Sequence, residues 1–544
     1  MSIQGRQSGS FGDEMTNILI AVLIGILGLT LVLRASGSVA AFLTRVSQPS
    51  EGIAGGVGVL FDPTHPGRAL GSDTLNPFVY WLIVGVMLAV LVLVLMWAWT
   101  RWRRHSRKVD TDPRRLPGTA TAYEVQATAS SRALLRRAAT LRPSLERPEP
   151  SDVGYRLGQS RGKGVWASVE DSILLIGPPR SGKGLHIVIP AILDAPGAVV
   201  TTSTRPDNLT ATLRARMRVG PVMVFDPQHL AEGVPAGLRW SPIRGCEDPL
   251  TAMIRAAGLA AADAVAILNA SPRAATGWSE GLEAMIETDP RTRDSIWQGV
   301  SLALAALADP RVLDAVSPGP DEAFDPEAFI REKGTLYLLA TGAGAGNSAA
   351  LVAAFVEDLV ETARRMAARS PGARLDPPLL LALDEIGNLA PLPSLPTLMA
   401  EGGGTGITTM PVLQSLAQAR DKWSEDQAAA IWDSSIAKII LGGASNSRDL
   451  QDLSTLIGER DEFTDSVTLG DYGSRSSQRS VRRVPIMPPD RIRTMPFGTG
   501  VLLLRSAPPI IVDLLPRPKR SDAASLKRER SEIETLLENR PISE

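Results

Sequence analysis

The stretch Ile173-Leu174-Leu175-Ile176-Gly177-Pro178-Pro179-Arg180-Ser181-Gly182-Lys183-Gly184 decides how the rest of the chain is read. Four apolar residues form a short buried strand, a glycine-bounded loop follows, and Leu185-His186-Ile187-Val188-Ile189 opens a helix. That layout is a phosphate-binding loop. Glycines let backbone N–H groups turn inward on a polyphosphate, the helix N-terminus adds partial positive charge, and Lys183 reaches the terminal phosphates. Gly184 departs from the general pattern, in which a Ser or Thr hydroxyl at this position helps hold Mg²⁺. The rival reading is an ordinary strand–turn–helix; the full spacing in this context argues against it.

The second half of such a site is an acidic pair at the end of an apolar strand, and Leu379-Leu380-Leu381-Ala382-Leu383-Asp384-Glu385 supplies it. Asp384 is placed to hold Mg²⁺, directly or through water, and Glu385 to polarise the water that attacks the γ-phosphate of ATP. Either feature alone is weak; the loop and the pair together are not. Gln414 ends the run Thr408-Thr409-Met410-Pro411-Val412-Leu413, where a glutamine either orients water or simply starts a helix. Arg205, Arg420 and Arg448 are candidates for reaching a neighbouring subunit's phosphate, against the commoner role of solvated surface.

Around these motifs, apolar runs recur between helical stretches: Ala198–Thr202, Val222–Phe225, Thr335–Ala340 and Ile436–Leu441, then Val501–Leu504 and Ile510–Leu514. Strands alternating with helices predict an α/β fold with a mostly parallel sheet covered on both faces. The nucleotide-binding domain is thus expected over 152–245 and 334–515. Between them, 246–333 is Ala-rich and helical in pattern, too long for a crossover, and reads as an inserted all-α domain.

Ahead of the core lie two apolar stretches, 15–33 and 77–99, separated by a Gly-rich extracytoplasmic segment, 34–76, read as a loop or a very small domain, and preceded by a short tail, 1–14. The first sits at the short end of the roughly 17–25 residues that span a bilayer, and a signal peptide is its rival reading. The second is charge-free and edged by Tyr80, Trp81, Trp97 and Trp99. Arg101, Arg103, Arg104, Arg107 and Lys108 follow it, so the residues after it belong on the cytoplasmic side. Residues 100–151 read as a basic connector with a helix around 129–141, and 516–544 as a charged tail, solvated rather than docked.

The bulk composition excludes more than it assigns. In 544 residues, 57 Lys and Arg face 58 Asp and Glu, so nucleic-acid contacts must come from local patches or from a pore formed by several subunits. The single cysteine, Cys246, rules out a disulfide framework and a Cys-based zinc site, and is expected as a buried small residue. His65, His105, His186 and His229 lack ligand spacing and are expected in loops or at the surface.

These residues carry a resemblance. Gly177–Pro190, Val199–Leu209 (VVTTSTRPDNL), Leu379–Leu389 (LLLALDEIGNL), Gly402–Arg420 and Ile436–Arg460, with Arg491–Leu504 more loosely, resemble the type IV secretion coupling proteins, the TraG/TraD-like membrane ATPases. Members of that family often carry Gly after the loop lysine. The resemblance implies a RecA-like P-loop domain with an inserted all-α domain, preceded by two transmembrane helices. It also implies a homo-hexameric ring in the bacterial cell membrane, using ATP and Mg²⁺. Its implied partners are single- or double-stranded DNA with a relaxase, or secreted protein, together with components of the secretion channel. Two other readings stay open at this stage: an FtsK/HerA-like DNA translocase, and a membrane substrate receptor with little ATPase activity, which Gly184 keeps alive.

Overall fold

The computed structural model describes residues 11–113, 116–231, 305–319, 324–341, 348–444, 446–469, 475–515 and 520–538, with 233–234, 237–241, 322 and scattered positions between 280 and 295. The chain divides into two compact units, Met1–Asp112 and Pro113–Glu544.

The first unit is helical. Its two long helices, α1 (Phe11–Thr44) and α4 (Pro77–Thr111), are joined through α2 (Ile53–Phe61) and the single turn α3 (Pro66–Ala69). Two segments are long and apolar enough to cross a membrane: Gly25–Thr44, mean hydropathy 1.8, and Pro77–Arg101, mean hydropathy 2.9. The second of these leaves Val86, Val90, Leu93, Leu95 and Met96 exposed. The sequence pattern ends the first apolar stretch at Leu33, but the helix runs on to Thr44. There Ala40, Ala41, Val59, Leu70 and Leu75 form a small core with Tyr80 and Val84. Glycine makes this possible, because a Cβ on Gly56 would lie 2.3 Å from the Thr30 carbonyl oxygen, so α2 rests directly on the α1 backbone. The Gly-rich segment is therefore a helical cap rather than an open loop.

The second unit is built on one eleven-stranded sheet in the order β2-β1-β13-β12-β9-β3-β8-β7-β4-β6-β5. The strands are β1 (Gly154–Ser160), β2 (Lys163–Ser168), β3 (Ile173–Ile176), β4 (Val199–Ser203), β5 (Val222–Phe225), β6 (Thr335–Leu339), β7 (Leu379–Leu383), β8 (Ile407–Leu413), β9 (Ala437–Leu441), β12 (Thr499–Leu504) and β13 (Ile510–Leu514). From β9 to β5 every pairing is parallel; β12, β13, β1 and β2 extend the sheet antiparallel. Most central strands are buried on both faces, which is why they read as unbroken apolar runs. Packed on one face is the helix Ala349–Ala368, which buries Val352, Phe355, Val356, Leu359 and Val360.

Three sequence expectations are modified. The helix near 129–141 is two short helices, Ser131–Leu135 and Ala138–Leu141; with Ala122–Thr128 they bury Val125, Leu134 and Leu141 in the core under β1 and β2. The segment read as a connector thus joins the sheet's own core from Ala120 onward. The tail read as solvated is a helix, Ala523–Glu538, with Leu526 and Ile533 each only 1% exposed. It lies on the helix Asp207–Met217, held by Arg218 donating to Glu529 at 2.9 Å and by Arg520 donating to both Asp194 oxygens at 2.7 and 2.8 Å. The polar stretch beyond Ile457 is a two-stranded hairpin of β10 (Glu459–Leu469) and β11 (Arg475–Pro485).

Most of the expected all-α insertion, 246–333, lies outside the described residues, as does Cys246. Its described parts are helical where structured: Ala305–Ala308, Pro310–Ala315 and Pro326–Arg331. The last two bury Val312, Phe329 and Ile330 in the core beside β6 and β7.

Candidate nucleotide site

Parallel strands end on one edge, so β3, β8, β7 and β4, adjacent in that order, deliver the segments that follow them to one place. Register ties the ends together, with Ile176 opposite Leu413, Leu383 opposite Pro411, and Thr202 opposite Leu383. The loop Gly177–Gly184 follows β3, Gln414 follows β8, Asp384 and Glu385 follow β7, and Thr204 follows β4. The strand carrying Gln414 lies between the loop strand and the acidic strand, so Gln414 sits between the two halves of the site. Its N–H donates to Gln418 Oε1 at 2.8 Å, and Gln418 in turn donates to Asn388 Oδ1 at 2.7 Å, tying the turn after β8 to the turn after β7.

The loop is tight because of its glycines. Gly182 has φ +88°, and a Cβ there would meet the His186 ring at 2.6 Å and the Phe497 ring at 2.9 Å. A Cβ on Gly177 would stand 2.6 Å from Ser181 Oγ. At Gly184, by contrast, no atom lies within 4 Å of the Cβ position, so the space a hydroxyl side chain would take is open. The helix begins with a π-type turn, Gly184–Val188, and continues as Ile189–Asp194, with Pro190 in its first turn. His186 is buried here at 3% exposure, edge-on to Phe497 with ring centroids 5.0 Å apart, and is not the surface residue its sequence context suggests.

Lys183 is 8% exposed and donates to the Gly177 carbonyl at 2.7 Å. Burial lowers its pKa, while the charges of Asp384 and Glu385 act in the opposite direction. Burial, reinforced by the neighbouring Glu385 charge, pushes the Asp384 carboxyl up to about 6. Asp384 accepts from Asn208 Nδ2 at 3.4 Å, and its carbonyl accepts from Thr202 Oγ1 at 2.8 Å. Glu385 takes a left-handed backbone conformation, φ 51° and ψ 28°, and accepts from Thr204 Oγ1 at 2.9 Å.

These residues fit a magnesium nucleotide on the structure's own terms. A buried ammonium faces two carboxylates across a glycine cradle, and the Ser181 hydroxyl is buried within that cradle with no hydrogen-bond partner. A bound polyphosphate and its cation would compensate Lys183 and Asp384 respectively. The three arginines considered for a neighbouring subunit's phosphate differ in their surroundings within the chain. Arg420 pairs with the buried Asp449 at 2.6 Å and Arg448 with Glu425 at 3.1 Å, whereas Arg205 is exposed on the turn beside Thr204. Sequence reasoning did not single out Thr204 and Asn208, although both stand in the stretch directly after an apolar strand.

Two family profiles match the chain on either side of residues 246–333. The first, described as type IV secretory system conjugative DNA transfer, covers residues 124–236, and the second, described as the TraM recognition site of TraD and TraG, covers 378–497. Both matches support the type IV secretion coupling protein family. The coupling-protein profiles between them include the loop, the turn after β4, the acidic pair and Gln414. No curated protein matches this chain in sequence. Among solved structures, the bacterial conjugative coupling protein TrwBdeltaN70 is similar at 14% identity over 71% of this chain and 92% of its own, with TM-score 0.47. TrwB in complex with ADP and Mg²⁺ is similar at 16% identity over 71% and 93%, TM-score 0.46. VirB4 of Thermoanaerobacter pseudethanolicus is similar at 14% identity over 67% and 96%, TM-score 0.37.

Proposed function

We propose that this chain is a membrane-anchored ATPase that recruits a DNA–relaxase complex or a protein substrate to a type IV secretion channel and drives its transfer. The observation that carries the reading is the placement of Gly177–Gly184, Gln414 and Asp384–Glu385 on three neighbouring strand ends of one parallel sheet edge. The two profile matches support the secretion setting.

In this reading Lys183 and the backbone N–H groups of 177–184 bind and orient the β- and γ-phosphates. Asp384 holds the cation, with no side-chain oxygen at position 184 to share the task. When bound, Mg²⁺ neutralises charge on the phosphate oxygens and fixes their geometry. Glu385 takes the proton of the attacking water, and Gln414 senses the γ-phosphate from the intervening strand. Pro178, Pro179, Arg180, Ser181 and Gly182 shape the cradle. In the same reading the two apolar helices anchor the chain, and the five cations after Trp99 support a cytoplasmic second unit. The resemblance to coupling proteins supports a homo-hexameric ring with sites between subunits and 246–333 as the lobe that receives substrate.

The test is ATP hydrolysis by the full-length protein in lipid, with and without single- and double-stranded DNA. Turnover stimulated by DNA is the expected result. Nucleotide binding without turnover under every condition would instead make the protein a receptor.

A further inference from the structure

The turn after β4 and the first turn of the helix Asp207–Met217 between them touch both carboxylates of the site. Thr204 Oγ1 donates to Glu385 Oε2 at 2.9 Å, and Asn208, 1% exposed, donates to Asp384 Oδ2 at 3.4 Å. The rest of that helix is fixed. Arg216, fully buried, donates to the carbonyls of Ala195 and Gly197 at 2.9 and 2.8 Å and to Thr335 Oγ1 at 2.7 Å. Its other side carries the C-terminal helix through Arg218 and Glu529. The turn itself, Thr204-Arg205-Pro206, is tied by its backbone, with Arg205 N–H donating to Ser203 Oγ at 3.3 Å and the Pro206 carbonyl accepting from Thr210 N–H at 2.8 Å, and it carries the exposed Arg205.

We infer that Thr204 is a positioning residue that restrains Glu385 in the resting site. The inference rests on reading the protein as an ATPase with Glu385 as its base. A carboxylate oxygen that already accepts a hydroxyl proton has a lone pair occupied and is held in place rather than free to turn toward a water. The restraint is also directional, because Glu385 sits in a left-handed conformation that non-glycine residues seldom adopt, so its side chain is aimed by the backbone and pinned by the hydroxyl. Because Thr204 stands on the turn while Asn208 belongs to the fixed helix, a displacement of 204–206 frees Glu385 and leaves the support of Asp384 in place. Stimulated turnover then means release of the Thr204 hydroxyl.

The experiment compares full-length wild type, Thr204→Val, Thr204→Ser and Glu385→Gln, measuring kcat and KM for ATP with and without DNA. Thr204→Val removes the hydroxyl at nearly constant shape and should raise basal kcat by about tenfold with KM unchanged, shrinking the DNA stimulation ratio. Thr204→Ser keeps the hydroxyl and should behave as wild type. A second readout needs no turnover: denaturant unfolding of nucleotide-free Thr204→Val, Glu385→Ala and the double variant should give less-than-additive losses. A Thr204→Val protein slower than wild type, or additive unfolding losses, overturns the restraint. Wild-type turnover no faster than Glu385→Gln overturns the ATPase reading instead, and the restraint with it.

Discussion

Strands β7 and β11 pair equally well and are composed oppositely. The first is Leu-Leu-Leu-Ala-Leu, every residue buried; the second is Arg-Ser-Ser-Gln-Arg-Ser-Val-Arg-Arg-Val-Pro. The difference is what covers them. Strand β7 has neighbours on both sides and helices on both faces, so only apolar side chains fit. Hairpin β10–β11 forms a sheet of its own, held by its ladder and by cross-strand pairs such as Phe463 with Val481. Arg479 also lies over the Phe463 ring, 4.6 Å from its centre. The nucleotide site is mounted on the first kind of strand, where side chains cannot drift, and none of its residues comes from the second.

The largest effect should separate the two regions directly. Leu381 is 0% exposed in β7, so Leu381→Ala should lose about 2–5 kcal/mol in denaturant unfolding. Phe463 is 58% exposed, and Phe463→Ala should lose less than about 1 kcal/mol, the value of an exposed cross-strand or cation–π pair. Equal losses would mean the hairpin is packed as tightly as the sheet.

A smaller effect runs the other way, because site residues oppose stability. Asp384 is raised from 3.8 to about 6 in the folded protein, so the fold binds its proton more tightly than the unfolded chain does. Stability from this group is therefore gained as pH falls through about 6 and lost as pH rises above it. Asp384→Asn should stabilise the nucleotide-free protein at pH 7 by at most about 3 kcal/mol, from two pKa units at ~1.4 kcal/mol each, and abolish Mg²⁺-dependent nucleotide binding. Lowering pH from 7 to 5 should then stabilise wild type more than Asp384→Asn; an equal response would show that Asp384 is already compensated at neutral pH.

The same contrast explains what could be read from residues alone. The central strands were legible because burial on both faces leaves an apolar run, and the loop and acidic pair because few residue types can do their chemistry. Hairpin β10–β11 was hidden because exposure on both faces removes any alternation. Strands β1 and β2 are broken by Gly154, Gly158 and Gly164 and lie at or near the sheet's edge. The C-terminal helix carries Leu526, Ile533 and Leu537 on one face, a spacing visible in principle but masked by the charges between them. Thr204 and Asn208 look like ordinary residues of a strand-to-helix turn, and only the fold shows that the turn faces Asp384 and Glu385.

The most direct test of the central claim is nucleotide affinity and ATP turnover measured side by side for wild type and Glu385→Gln. The account predicts that Glu385→Gln binds Mg²⁺–ATP as wild type does while turnover falls by at least about a hundredfold, as expected for loss of a general base. Equal turnover in the two proteins would contradict it.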